Sequence, residues 1–411
     1  MGRSPVAGLS WLRIVYDQFV PPGTEGSIRV AVVQAAPVFL DRAASVRKAC
    51  DLIAEAGAAG ARLIAFGENF LPGHPIWFHA LPPTAGRSRE LATAMVENAL
   101  TVPGPESDRL CEAARSAGAM VVIGLVERPD PGVSVVFDSQ MVLSPDGAVL
   151  GVRRKLVPAV GERVFFHPGG EQSIRVFDSP WGPVSVLAGG ENSNPLLTYA
   201  MRGLGARIHV ALWPPHFHAP GVMQNVVSIT GRAVAYQNTA HVLAVAAASD
   251  AEAVERVRPD AAHRANLITM TEEPGSMIYA PGGRILAGPQ QGEGVLYADI
   301  DPEAGTWAQL VNRQYDRPDL LRLSWSRDAE SPQVGRDALD PGDGEESRSA
   351  DEDLAARARL LIRDRFGDAL GPGDTETLVP YVAQILRRSR ALAERVPASA
   401  DPRSAHYTAE G

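Results

Sequence analysis

The stretch Val184–Trp213, VSVLAGGENSNPLLTYAMRGLGARIHVALW, decides how the fold is read. Val184–Ala188 is a short apolar strand that runs into the small turn Gly189-Gly190-Glu191-Asn192. Pro195 then opens an apolar helix to about Leu204, and Ile208–Trp213 returns as a second strand. Proline at a first helical turn and strands separated by a helix are the marks of a β-α-β unit. A fold presents a reactive side chain at the end of such a strand, and what stands there is glycine.

The same alternation extends in both directions. Ile28–Gln34 is a β-branched strand, and Asp41–Gly57 follows with Val46, Cys50, Ile53 and Gly57 on one helical stripe. Leu63–Phe66 is again strand, and a helix over Glu106–Ser116 precedes the strand Met120–Leu125. Phe137–Leu143 and Ala148–Arg154 read as a hairpin across Ser144-Pro145-Asp146-Gly147. Downstream come a helix over Met223–Gln237, the strand His241–Ala247, and Ser276–Tyr279, Gly283–Leu286 and Val295–Ile300 as a closing hairpin. Helix-linked strands mixed with hairpins predict a layered α/β sandwich with mixed sheets. After about Asp301 the composition changes, and DALDPGDGEESRSADED, Asp337–Asp353, is too acidic and too rich in Gly, Pro and Ser to build a core. Leu354–Phe366 and Thr375–Glu394 read as amphipathic helices beyond that linker, with a loose tail from Val396.

With 411 residues, 45% of them hydrophobic and 21% charged, the chain can bury a large core. The 39 basic and 48 acidic residues leave a net charge of −9 with no basic stripe, which argues against nucleic acid and anionic membrane as partners. LSWLRIVYDQFV, Leu9–Val20, is too short and too interrupted by Arg13 and Asp17 for a signal or membrane segment. The two cysteines, Cys50 and Cys111, fit a reducing compartment, lie in helical patterns and lack metal-type spacing. A cytoplasmic protein with a small-molecule partner is expected.

Polar groups at strand ends carry the candidate chemistry. Glu68 ends the apolar strand in LIAFGENF, where burial would raise its pKa toward that of a general base. Lys155 ends a hairpin strand in GVRRKLVPAVGERVFF, with Glu162 seven residues on. A lysine beside carboxylates can stabilise a developing anion, although Glu162 by itself reads equally as a solvated surface group. His216 and His218 in HFH lack a convincing third metal ligand, so no metal is expected. His209 lies within a strand and reads as a satisfied core histidine, and Arg387, Arg388 and Arg390 read as a solvated helix face. Glu191 and Asn192 read as braces of their turn rather than reacting groups.

AVVQAAPVFLD, LIAFGENFLPGHPIW, RRKLVPAVGER, GGENSNPLLTYAMRGLGARIHVALWPP and GEGVLYADIDPE, in this order, resemble the nitrilase branch of the carbon–nitrogen hydrolase superfamily over about residues 28–320. The resemblance implies a four-layer α-β-β-α sandwich with a helical C-terminal extension, assembled as a homodimer or larger. It divides the chain into an N-terminal extension over 1–27, the hydrolase-like domain over 28–320, and an acidic linker with helices over 321–411. It implies a Glu base at Glu68, a lysine at Lys155 and a second Glu at Glu162, with no cofactor, while the family's Cys nucleophile falls on Gly189. His74 and Trp77, on a loop that lines the substrate pocket in relatives, and Gly190, Glu191 and Asn192 are the expected substrate contacts. The chain departs from the family's pattern at Gly67, Asn69, Ala159 and Val160 as well. Changes in several loops of one site fit divergence better than a single inactivating Cys-to-Gly substitution. Divergence leaves two expectations: Cys-independent acid–base chemistry on a C–N function, or a catalytically silent homologue that binds a ligand or assembles with a partner.

Overall fold

A computed structural model describes residues 26–159, 161–215, 222–272 and 275–305, together with 323, 355–360, 362, 379, 382 and 383. The chain divides into two compact units, Met1–Gln333 and Val334–Gly411.

Among the described residues of the first unit, twelve strands make two six-stranded sheets. They are β1 Ile28–Gln34, β2 Ala61–Phe66, β3 Met120–Glu127, β4 Phe137–Leu143, β5 Val149–Arg154, β6 Val176–Phe177, β7 Val184–Ala188, β8 Ile208–Trp213, β9 His241–Ala246, β10 Met277–Tyr279, β11 Ile285–Ala287 and β12 Gly294–Ile300. One sheet has the order β12-β1-β2-β3-β4-β5, the other β11-β10-β9-β8-β7-β6. In each, three central strands run parallel, β1-β2-β3 and β7-β8-β9, and the hairpin strands lie antiparallel outside them. The helices are α1 Arg42–Ala58, α2 Gly86–Glu97, α3 Pro105–Ala117, α4 Pro195–Gly203, α5 Val222–Asn238, α6 Ala251–Val257 and α7 Ala261–Thr271.

Strands this apolar are buried on both faces, and their alternation divides them between two cores. Val30, Val32, Leu63 and Ala65 join Val186, Val210 and Leu243 of the other sheet in the interior of the sandwich. Ala31, Val33, Ile64 and Phe66 face outward and pack on Val46 and Ile53 of α1 and Leu110 of α3. Trp213 and Val242 likewise meet Val227 and Val234 of α5. The expected α-β-β-α sandwich is therefore present.

The described segments refine the reading in four places. β10 and β11 form a hairpin in one sheet, but β12 leaves it and pairs antiparallel with β1, from Ile28 opposite Ile300 to Gln34 opposite Gly294. The first strand would otherwise expose a long apolar edge, and β12 covers it. On α1 Val46 and Ile53 are buried as expected, while Ala49 and Ala56 are buried in place of Cys50 and Gly57. Helices α2, α6 and α7 add to those read from periodicity, the last two capped by Asp250 and Asp260. In the second unit residues 355–360 are helical, and Ala358 and Ile362 pack on Val379 and Ala383. Among the described residues no helix is long and apolar enough to cross a membrane.

Candidate active site

The ends of β2, β5 and β7 converge, and the candidate side chains follow from them. Glu68 leaves β2 through Gly67, where an added Cβ would lie 2.5 Å from the Ala247 Cα. Only glycine permits that approach of the two sheets, which accounts for the departure at this position. Lys155 follows β5 directly, and Glu162 opens a short 3-10 turn, Glu162–Val164. The three are fully buried. Lys155 Nζ donates to Glu68 Oε1 at 2.5 Å and to Glu162 Oε2 at 2.6 Å. Glu162 Oε2 also accepts from the Ala159 N–H at 2.6 Å, which ties the carboxylate to the lysine loop. The reading of Glu162 as a solvated surface group is corrected, because the ammonium and this backbone donor compensate its burial. Val160, His216 and His218 lie outside the described residues.

A third carboxyl completes the cluster. Asp138 on β4 is buried, with Oδ2 3.3 Å from Lys155 Nζ, and its backbone carbonyl accepts from Lys155 N–H at 2.8 Å. It was missed in the sequence because the strand FDSQMVL carries no sign of what its aspartate faces. Asn69, in the left-handed region at φ 51°, donates its amide to Leu125 O at 3.1 Å and to Asp138 Oδ1 at 3.3 Å. Its oxygen accepts from His74 Nδ1 at 3.2 Å, since the reverse orientation would set that oxygen against two acceptors. His74 Nε2 is left 3.9 Å from Glu162 Oε1.

Burial and mutual charge set the protonation of this group. Burial pushes Glu68 well above the usual carboxylate range; Lys155 opposes the shift, while Asp138 and Glu162 add to it. Burial also raises Asp138, against the pull of Lys155. For Lys155 burial disfavours the charge, but Glu68, Asp138 and Glu162 together outweigh it and hold the ammonium well above its ordinary value. Burial, then the charge of Lys155, keeps the His74 imidazole neutral. Oxygen and nitrogen atoms of Glu68, His74 and Glu162 lie within 4.8 Å of one another, a metal-like grouping. The Lys155 ammonium occupies the cation position against both carboxylates, so the donor set does not suit a metal ion.

Gly189 begins the turn after β7, at φ +51°, and faces the same charges. A Cβ there would lie 2.9 Å from Lys155 Nζ and 3.1 Å from Glu68 Oε2. Glu191 holds the turn to the lysine strand: its carboxylate accepts from Leu156 N–H at 2.6 Å and Ala188 N–H at 3.1 Å, and pairs with Arg153 at 2.8 Å. Arg153 and Glu191 have no exposed side-chain surface. Asn192 Nδ2 donates to Gly189 O at 3.0 Å, so its oxygen accepts from His209 Nε2 at 3.0 Å, and Ser185 Oγ completes the imidazole at 2.8 Å. Burial pushes the His209 pKa down to about 3, which keeps the ring neutral. Gly190, by contrast, is exposed. Trp77 is fully buried edge-on to Phe39 and Phe165, with centroids at 6.2 and 5.3 Å. A recess of about 10 Å³, room for a water, lies beside His74 and is lined by Pro37, Phe39, Pro215 and Ser249.

Comparison with known proteins places the chain in one family. The carbon–nitrogen hydrolase profile matches residues 29–309, and the chain belongs to that family. It is similar to Nitrilase 2 of an unknown prokaryotic organism, 35% identical over 316 residues, 76% of this chain and 96% of the relative. It is also 35% identical over 312 residues to a nitrilase of Pseudomonas syringae pv. syringae, covering 73% and 90%. An aliphatic nitrilase of Rhodococcus rhodochrous is 34% identical over 319 residues, covering 74% and 84%. Among solved structures, a carbon–nitrogen hydrolase from Helicobacter pylori superposes with a TM-score of 0.56 at 19% identity, over 72% of this chain and 99% of that one. An amidase from Nesterenkonia sp. gives 0.51 at 20% identity, over 72% and 99%. These two bear on the fold alone.

Proposed function

We propose that the chain acts on a C–N function of a small molecule by acid–base chemistry that needs no cysteine. Glu68, Lys155 and Glu162 are its working groups, and Gly189 stands where the family has its thiol nucleophile. The chain works as a homodimer or larger assembly. One observation carries the reading: the Cβ direction of Gly189 runs straight into Lys155 Nζ and Glu68 Oε2, so the position without a side chain faces the intact buried charges. Buried ions cost several kcal/mol when left unmatched, and a fold kept only for assembly gains nothing by holding such a cluster of ionisable groups together.

Cys50 and Cys111 lie on α1 and α3, helices on the outer face of one sheet, so a thiol intermediate is not part of the scheme. Water addition to a nitrile, the group for which the relatives are named, gives the reaction its concrete form. A water that enters beside Gly189 gives a proton to Glu68 as its oxygen bonds to the nitrile carbon. The nitrogen takes a proton from the Lys155 ammonium, and Glu68 returns one to Lys155 across their 2.5 Å contact. The product is an imidic acid, which tautomerises to the amide; atoms balance and nothing is oxidised. Lys155 also stabilises the negative charge that develops on nitrogen. Elimination of water runs the same proton transfers in reverse.

The test is a thermal-shift screen of nitriles, amides and amidines, with products followed by mass spectrometry. Turnover is expected for at least one class, and Glu68→Gln, which keeps the packing but accepts no proton, should reduce it at least a thousandfold with unfolding nearly unchanged. Binding across a broad panel without any product would instead establish a silent ligand-binding homologue.

A further inference from the structure

The proposed chemistry uses Glu68, Lys155 and Glu162, and leaves a fourth buried charged group, Asp138, without a part. Glu68 Oε2 and Asp138 Oδ2 are both buried and make no hydrogen bond, Asp138 Oδ2 lying 3.3 Å from a Lys155 ammonium that donates to Glu68 Oε1 and Glu162 Oε2. The two carboxyls nevertheless meet at one ammonium: Lys155 Nζ lies 2.5 Å from Glu68 Oε1 and 3.3 Å from Asp138 Oδ2. Two carboxylates cannot bond without a proton between them, and one proton would satisfy both oxygens together. The other oxygens are engaged: Glu68 Oε1 takes the Lys155 ammonium, and Asp138 Oδ1 takes Gln140 Nε2 at 3.2 Å and the Asn69 amide at 3.3 Å.

The charge balance points the same way. Three carboxyls, Glu68, Asp138 and Glu162, face one ammonium, Lys155, in a site with no exposed surface on Glu68 or Asp138. The nearest imidazole, His74, supplies no compensating charge, because it is buried neutral and spends its Nδ1 proton on Asn69. Arg153 and Arg154 are turned to Glu191 and Glu127. Retaining one proton among the three carboxyls removes a charge that no group of the site matches.

We propose that Glu68 and Asp138 share one proton in the resting protein, with Asp138 the positioning residue that sets whether Glu68 gives or takes one. With the proton on Asp138, Glu68 is the base that accepts from water; with the proton on Glu68, it is the acid that the reverse elimination needs. The proton only moves between the two oxygens, so no bond other than O–H is made or broken. This rests on the acid–base reading above and goes further, because it gives Asp138 a role that Glu68, Lys155 and Glu162 do not fill.

The experiment is infrared spectroscopy of the intact chain in H₂O and D₂O at pH 7, which needs no substrate. A protonated-carboxyl C=O band that shifts in D₂O is expected in the native protein, and it should disappear in both Asp138→Asn and Glu68→Gln. Should Asp138→Asn not fold, the native and Glu68→Gln spectra still carry the comparison. Absence of the band in the native protein, or its survival in either variant, overturns the shared proton. Where the screen identifies a substrate, the limb of the pH–rate profile set by Glu68 should move to lower pH in Asp138→Asn by at least one unit. An unmoved limb would overturn the assignment of Asp138. A band without turnover on any compound counts against the acid–base function alone, and turnover without a band counts against the shared proton alone.

Discussion

A side chain at Gly189 meets two obstacles. Its backbone is in the left-handed region at φ +51°, and its first carbon would stand 2.9 Å from Lys155 Nζ. The left-handed region costs an ordinary residue about 1–3 kcal/mol where the surroundings must enforce it. The contact is with the end of a flexible side chain, so it can be relieved by moving the ammonium a few tenths of an ångström. That movement would be taken from the Lys155 contacts with Glu68 and Glu162, the shortest in the site. Gly189→Cys is therefore expected to fold and to lose native turnover by about ten- to hundredfold, the rate equivalent of about 1–3 kcal/mol. Steady-state kinetics of the variant on the substrate found by screening checks it. A gain of nitrile or amide hydrolysis with a thioester trapped on the new thiol, and no native activity lost, would show a site that lacks only its nucleophile.

At the scale of elements, the site depends on how two loops are joined. Glu191 bonds to the backbone at Leu156, one residue past Lys155, and at Ala188, one residue before Gly189. It thereby fixes the end of β5 against the end of β7, while its pairing with Arg153 neutralises both charges away from water. Glu191→Ala removes all of these and leaves the Arg153 guanidinium buried without its carboxylate, at a cost of about 3–5 kcal/mol. Chemical denaturation should show that loss, and Glu191→Gln, which keeps one acceptor oxygen for Leu156 or Ala188 but neither the second nor the charge, should fall between the variant and the native protein. Much of this was legible in the sequence, and the limits are physical. β-Branched runs announced β1, β7 and β8 because both faces of those strands are buried, and the spacing of Glu68, Lys155 and Glu162 within recognisable motifs marked three groups that the fold brings together. The brace of Glu191 and Asn192 was legible as turn chemistry. Asp138 and Arg153 were not, since their significance lies in partners 70 and 38 positions away, at Glu68 and Glu191. β12 was misread as the last piece of a hairpin for the same reason: its partner, β1, is at the other end of the domain.

For the whole molecule, the helices that follow the site turn present an unsatisfied surface. α4 begins at Pro195, immediately beyond the Gly189–Ser193 turn, and packs on α5. Leu196 is 62% exposed and Tyr199 37%, three residues apart on one side of α4; Ile229 and Tyr236 are 60% and 59% exposed, seven apart on one side of α5. Burying a fully exposed large apolar side chain contributes about 1.5–3 kcal/mol, so the exposed parts of these four in a two-fold contact, counted on both copies, contribute about 6–13 kcal/mol, comparable to the association cost of about 4–15 kcal/mol. The chain is accordingly expected to sediment as a dimer or larger at micromolar concentration, and Ile229→Lys with Tyr236→Lys should shift it to a monomer with its helical circular dichroism retained. Because α4 grows directly out of the turn that carries Gly189, the monomeric variant should also unfold at lower temperature and bind screened ligands more weakly. A native chain that stays monomeric at these concentrations would remove the assembly from the proposal and leave the exposed faces of α4 and α5 as ordinary surface.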